Sequence, residues 1–457
     1  MTSISIAWFR RDLRLHDNPA WAAACATDET IALTVIEPGL LDRAGPFRRE
    51  AYLRGLQSLD RELTEMGGRL RVEIGRPDEV VPRVAAACGA REIHVNADVT
   101  RWSQRRDEAV EQALSVPLTR HWGTLVQPPG SVLTKAGTLS RVFTPFYNAW
   151  AKVPIRPEAV ATPTSVAATT SAAIPAVPDA EGPPPTDPTS LLARAAERCA
   201  DYPTARDIPG IGGTTELSTA LRFGWVSACH VARTLSGGSA GADAVVRQLA
   251  WRDWYAHITL ARPDIDRIAL RPEYDAIEWE TGPDAEQAFE AWRSGTTGYP
   301  IVDAGMRQLA ETGWMHNRVR MITASFLVKD LLIDWRRGER WFRHLLTDGD
   351  IPQNAGNWQW VAGTGPDAAP YFRIFNPTAQ SRRFDTDGAY IRRWVPELAG
   401  LTNRAIHEPA AVAPLDLAAA GITLGDDYPF PIVNHAAARE DTLRVYKQAL
   451  EAARNGQ

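Results

Sequence analysis

Side chains able to do chemistry crowd into residues 314–360. Trp335, Trp358 and Trp360 stand there with Asn317, Arg318 and Arg320, and two acids, Asp348 and Asp350, bracket Gly349. Asn354 follows, just ahead of Asn357-Trp358-Gln359-Trp360. Packing alone rarely needs that mixture. Indole planes stack bases or relay electrons, guanidiniums hold phosphates, and a carboxamide tunes a redox-active ring. The set implies a large aromatic cofactor handling a nucleic-acid substrate.

Two earlier stretches add to it. Tyr202 and Arg206 precede Gly213-Thr214-Thr215-Glu216-Leu217-Ser218. A glycine and successive hydroxyls at a helix start can cradle a phosphate through free N–H groups. The same residue types also cap helices that bind nothing. Further on, Gln248 lies three residues before Trp251, so on a helix the amide and indole share a face. That suits a planar, hydrogen-bonding ligand, although an amphipathic helix burying Trp251 and Tyr255 would read the same. Arg320 and Asp330 fall in or beside the apolar stretch Ile322–Leu332. Buried charges need partners, and an ion pair between these two is expected.

These residues need a scaffold of some size. At 457 residues the chain predicts two or three domains. Its 44% hydrophobic and 23% charged content is that of a globular protein. The net charge of −5 excludes a chain coated in basic residues, so any nucleic-acid contact must come from a local arginine-rich groove. Tryptophan is unusually abundant, 16 residues against 10 Tyr and 12 Phe. The four cysteines, Cys25, Cys88, Cys199 and Cys229, have no metal-gripping spacing and read as free thiols in a reducing cytoplasm. The start at Ile4–Phe9 reads as a strand, not a leader, and no apolar run is long enough to cross a bilayer.

Strand-like stretches at Ile4–Phe9, Ile31–Ile36, Leu70–Ile74 and Glu92–Val95 alternate with helical ones at Phe47–Met66, Pro77–Cys88 and Ser103–Leu114. That alternation predicts a doubly wound parallel sheet, an α/β domain over 1–130. Arg10-Arg11-Asp12-Leu13-Arg14 leaves the first strand at its carboxyl end, where such sheets bind ligands. Residues 131–195 read as a long linker, rich in Pro, Ala and Thr over 154–190 and ending near Pro183-Pro184-Pro185. From 196 to 457 the periodicity is that of an all-α domain.

In its ordered motifs the chain resembles the photolyase/cryptochrome flavoprotein family. They are Trp8-Phe-Arg-Arg-Asp-Leu-Arg-Leu15, Tyr202…Arg206-Asp, Thr214-Thr-Glu-Leu-Ser218, Trp251-Arg252, Thr297-Gly-Tyr-Pro-Ile-Val-Asp303, Trp314-Met-His-Asn-Arg318, Asp348-Gly-Asp350, Asn354-Ala-Gly-Asn-Trp-Gln-Trp360 and Tyr371-Phe-Arg-Ile-Phe-Asn-Pro377. The resemblance spans nearly the whole chain. It implies an antenna-binding α/β domain and a helical domain holding FAD, with Tyr202, Thr214, Thr215, Leu217, Ser218, Arg252, Arg320, Asp348 and Asp350 at flavin-binding positions. Asn354 matches the residue facing flavin N5, and an uncharged amide there fits a fully reduced flavin. Trp358, Trp335 and Trp279 match an electron-relay chain.

The same resemblance implies light-driven splitting of cyclobutane pyrimidine dimers in DNA. Gln248, Trp251, Asn317, Met321 and Trp360 match lesion contacts, and Arg206, Arg318, Arg373 and Gln380 match DNA-backbone contacts. Relatives acting on (6-4) photoproducts carry histidines where Asn317 and Met321 stand, which argues against that substrate. Two positions depart from the family. Gln248 replaces the usual glutamate, and Thr219-Ala220 replaces the common Pro-Tyr. A photoreceptor of the cryptochrome type, without repair, is the alternative that Gln248 favours. For the antenna, Ser103 stands where folate-binding relatives have glutamate, so a deazaflavin is expected over a folate. UV-damaged DNA is the expected partner. No metal, membrane or protein partner is implied, and a cytoplasmic monomer is the default.

Overall fold

A computed structural model describes residues 2–177 and 187–455; the Pro183–Pro185 end of the expected linker lies outside them. The chain forms two compact units. One runs up to Ala200 and adds Thr215–Pro263; the other comprises Asp201–Thr214 and everything from Asp264 onward.

In the first unit five parallel strands form one sheet: β1 (Ile4–Phe9), β2 (Glu29–Ile36), β3 (Leu70–Ile74), β4 (Glu92–Asn96) and β5 (Leu118–His121). Their order is β3-β2-β1-β4-β5. β1 and β2 are buried at every position after the first, as a sheet covered on both faces requires. Helices Pro19–Ala24, Pro46–Glu65, Pro77–Cys88 and Arg101–Ala113 make the crossovers. The sequence had four of the strands. The fifth, Leu118-Thr-Arg-His, has a single buried residue and gives no periodic signal. Strand order reverses at β1, so a crevice opens between the carboxyl ends of β1 and β4. Arg10–Arg14 emerge there.

The sequence divided the chain at about residue 196; the compact units break after Ala200, close to that point, and again at Thr214/Thr215 and after Pro263. Buried hydrogen bonds explain why helix Ala240–Ala261 belongs with the sheet's unit. The Asp253 carboxylate, fully buried in that helix, accepts from the Gln127 N–H at 2.8 Å and Trp150 Nε1 at 2.8 Å. Trp254 Nε1 donates to the Ser140 carbonyl. The described part of the linker is also tied down. It contains helix Phe143–Trp150, and Thr30 exchanges backbone hydrogen bonds with Ser165 and Ala167.

The second unit is helical, with a large apolar core that includes Trp292, Trp335 and Trp358. His316 starts helix Asn317–Ser325 by accepting the Arg318 N–H on Nδ1. The apolar stretch read as one helix to Leu332 instead widens into a π-helical turn over Phe326–Asp330. Its two buried charges find partners that a straight helix would not reach. Lys329 Nζ donates to the Ala362 carbonyl at 3.0 Å, and Asp330 pairs with His435 at 2.5 Å. The expected Arg320–Asp330 pair therefore does not form; Arg320 pairs with Asp348. Among the described residues no helix is long and apolar enough to cross a membrane.

Helices Trp335–Leu345 and Ile351–Ala362 pack at unusually close range. A Cβ on Gly338 would sit 2.2 Å from Trp358 Cη2 and 2.5 Å from Leu327 Cδ2. Gly338 is thus a notch for the Trp358 indole. Gly338→Ala is expected to lose about 1–3 kcal/mol of unfolding free energy in a urea titration; no loss would mean the indole moves aside freely.

Candidate active site

Helix Ile351–Ala362 is the spine of the site in the second unit. Asp350 is its N-cap residue, and Asn354 and Trp358, four apart, share the face packed on helix Trp335–Leu345. Asn354 Nδ2 donates to the Glu339 carbonyl at 2.8 Å and to Glu339 Oε1 at 2.9 Å. Both amide protons are thereby spent. Asn354 Oδ1 accepts no hydrogen bond among the described residues, which leaves the acceptor end for a ligand. Burial pushes the Glu339 carboxyl above its usual range, while Arg343, 3.3 Å away, pulls it back.

Arg320 is held by the Asp348 carboxylate through two bonds, 3.1 and 2.9 Å, and its Nε donates to the Met315 carbonyl. Tyr202 begins the short helix Tyr202–Ala205, and the turn at Gly213 closes onto it: a Cβ there would lie 2.5 Å from the Ala205 carbonyl oxygen. Tyr202, Thr214, Arg320, Asp348, Asp350 and Asn354 all belong to this unit. The remaining expected flavin positions, Thr215, Leu217, Ser218 and Arg252, belong to the other. There Leu217 precedes helix Ser218–Phe223, and the turn is braced by Glu216, at a φ of 55°, paired with Arg198 at 3.1 Å. Arg252 donates to the carbonyls of Thr124 and Leu221.

Expected lesion contacts are likewise spread over both units. In the first, Trp251 stacks on Phe143 with centroids 3.6 Å apart and planes 12° from parallel. At most one face of that indole is open to a ligand. Gln248 turns its Nε2 back to the Ala244 carbonyl at 3.1 Å. In the second unit, Asn317 and Met321 lie one helical turn apart with Nδ2 3.9 Å from Sδ. Trp360 is partly buried against the core.

The arginines differ in what holds them. Arg318 is tied to Asp207 at 2.9 Å and lies 4.3 Å over Phe384. Arg206, Arg373 and Arg383 rest on Tyr202, Phe375 and Phe384 and have no carboxylate partner among the described residues. Gln380 is half-buried on the same helix as Arg383, Pro377–Phe384. Phe143, Phe384, Glu339 and Arg383 were not singled out in the sequence. Only Arg383, in the run Arg382-Arg383, left a signal there.

Of the expected relay, Trp335 and Trp358 are buried, at 0% and 2% exposure, and Trp279 is partly exposed. Trp279 meets Tyr446 edge-on at 6.2 Å. Trp358 makes ring contact with Phe342 and with Trp292, at 5.0 and 6.2 Å.

At the carboxyl end of β1, Trp8 is covered by the guanidiniums of Arg10 and Arg106, 4.9 and 5.2 Å from its ring. Trp8 Nε1 is buried without a hydrogen-bond partner among the described residues. Past the end of β4 a cavity of about 370 Å³ is lined by Asp98, Asp107, Glu108, Glu111, Arg120 and Trp122 among others. Burial would raise the Asp98 carboxyl, but Arg11 at 2.9 Å and the Thr100 N–H hold it well below its usual range.

Two family models match the chain, DNA photolyase over residues 5–165 and the FAD binding domain of DNA photolyase over residues 245–448. The deoxyribodipyrimidine photo-lyase of Escherichia coli is 40% identical over 99% of both chains. This chain belongs to the DNA photolyase family. Among solved structures, a bacterial class III photolyase from Agrobacterium tumefaciens superimposes with a TM-score of 0.88 at 36% identity, covering 99% of this chain and 98% of that one. A cryptochrome from Synechocystis gives 0.87 at 28% identity, covering 97% and 99%. Two-domain photolyase architecture and a FAD-binding region are therefore properties of this chain.

The residues present fit the flavin. A reduced isoalloxazine carries a proton on N5, and Asn354 offers an acceptor locked in place by Glu339. Removing the arginine that neutralises Asp348 tests the frame around it. Arg320→Ala is expected to cost about 2–3 kcal/mol in urea unfolding, since Asp348 is left nearly buried without a counter-charge. Purified protein should also lose bound FAD, read as the flavin-to-protein absorbance ratio.

Proposed function

We propose that this chain splits cyclobutane pyrimidine dimers through the residues described above. It is a light-dependent DNA-repair lyase of the photolyase family and uses FAD. Bound FAD supplies the light-absorbing ring and the electron that opens the dimer. The observation that carries the assignment to repair is the locked amide of Asn354. With both protons on Glu339 it meets the ring as an acceptor, which favours the protonated N5 of the electron-donating state.

The other roles follow from what each side chain touches. In the first unit Trp251, with Phe143 behind one face, offers its other face to an extruded base. In the second unit Trp360 offers an indole, and Asn317 and Met321 offer a polar and a soft contact. Gln248 keeps an amide oxygen and one remaining N–H for the pyrimidine rims. Flipping is cheapest for a lesion already badly stacked, so the pocket selects damage over intact bases. Arg206, Arg318 and Arg373, with Gln380, hold the backbone around the gap. Trp358, Trp335 and Trp279 carry electrons inward to restore the reduced flavin between repair cycles. Functionally the division is an antenna domain over 1–130, a linker over 131–195 and a FAD-binding catalytic domain over 196–457.

The second chromophore is a deazaflavin in this reading. Ser103, standing where folate-binding relatives have glutamate, supports it. The protein works as a cytoplasmic monomer on UV-damaged DNA. One observation favours the rival photoreceptor reading: Gln248, which can neither supply a proton nor carry a charge.

Reduced enzyme mixed with a thymine-dimer oligonucleotide is expected to restore thymine absorbance under blue light; DNA binding without recovery would favour the receptor. Trp358→Phe is expected to slow photoreduction sharply while chemically reduced enzyme still repairs, and loss of both would contradict the relay role. Gln248→Glu is expected to raise repair per absorbed photon by the equivalent of about 0.5–1.5 kcal/mol. An unchanged yield would show that this position does not touch the dimer.

A further inference from the structure

The expected relay leaves a fourth tryptophan unused. Trp292 is completely buried and meets Trp358 with centroids 6.2 Å apart and planes at 72°. Among the described residues it is the one tryptophan in ring contact with Trp358; Trp335 is not. We propose that Trp292 is a side reservoir for the positive charge that arises on Trp358, a proposal that rests on Trp358 being the first relay member.

Energetics favour the transfer. Trp292 Nε1 donates to the Thr323 carbonyl at 3.0 Å, and that dipole stabilises positive charge on the indole. Trp335 instead has the Arg336 guanidinium 4.9 Å from its ring, with the Asp275 and Asp334 carboxylates offsetting its charge. The step is a single electron exchange. An electron leaves the Trp292 ring and fills the vacancy on Trp358, after light-excited oxidised flavin has taken one from Trp358. No proton moves, because a carbonyl cannot take the indole proton. The charge also cannot go further. The other rings around Trp292 are Phe289 at 5.6 Å and Phe342 at 5.8 Å, and phenylalanine is too hard to oxidise. It must return through Trp358. Trp292 therefore stores charge reversibly, whereas Trp279, partly exposed, lets it leave.

The test blocks the main exit. In Trp335→Phe, flash excitation of oxidised holoprotein should give an indole radical that persists through exchange between Trp358 and Trp292. Adding Trp292→Phe should shorten its lifetime several-fold, with flavin content unchanged. An equal lifetime would overturn the proposal. If the double variant fails to fold, a fluorotryptophan at 292, nearly isosteric and harder to oxidise, takes its place with the same expected shortening. An absent radical in Trp335→Phe, or one that survives Trp358→Phe, would instead overturn the relay reading itself.

Discussion

The second unit depends on a missing side chain. Without the notch at Gly338, helix Ile351–Ala362 could not lie against helix Trp335–Leu345 closely enough for Asn354 to reach the Glu339 carbonyl. The same contact seats Trp358 in the apolar core beside Trp292 and Phe342. One steric fact thus fixes both the orientation of the Asn354 amide and the position of the Trp358 indole, the two groups proposed to serve the cofactor. At its far end the helix stops at Gly363, where the Ala362 carbonyl accepts from both Lys329 Nζ and Tyr446 Oη. A cation against helix carbonyls is favourably placed, although burial pulls the Lys329 amine well below the ordinary lysine range.

Much of this was legible in the chain itself. β1, β3 and Pro77–Cys88 are found where hydrophobic periodicity put them, because burial on both faces writes itself into sequence. β5 was not, since an edge strand with one buried residue leaves no such record. The motifs supplied the proposed site residues, but not what orients them. Glu339 sits in a run of charged residues, Trp335-Arg-Arg-Gly-Glu-Arg, that reads as a solvated face. Only the packed helix pair shows it buried beneath Asn354. Phe143 lay in a stretch whose composition suggested a linker, yet it backs Trp251.

Charge pairing failed for a related reason. Arg320 and Asp330 are close in sequence and both needed partners, so pairing them was economical. The π-helical turn over Phe326–Asp330 redirects Asp330 to His435, and Asp348 comes from a separate segment. Long-range partners of this kind depend on how elements cross, which local spacing does not encode.

The acidic balance of the chain has one more consequence. Many of its arginines pair with carboxylates, while Arg206 and Arg373 lean on aromatic rings instead. With Arg206, Arg318 and Arg373 as the proposed phosphate contacts, each displaces roughly 0.7–0.9 of a condensed counterion. The association constant would then fall with about the second to third power of the salt concentration, a mild dependence. Most discrimination would have to come from the cost of extruding a base pair, which ionic strength barely touches.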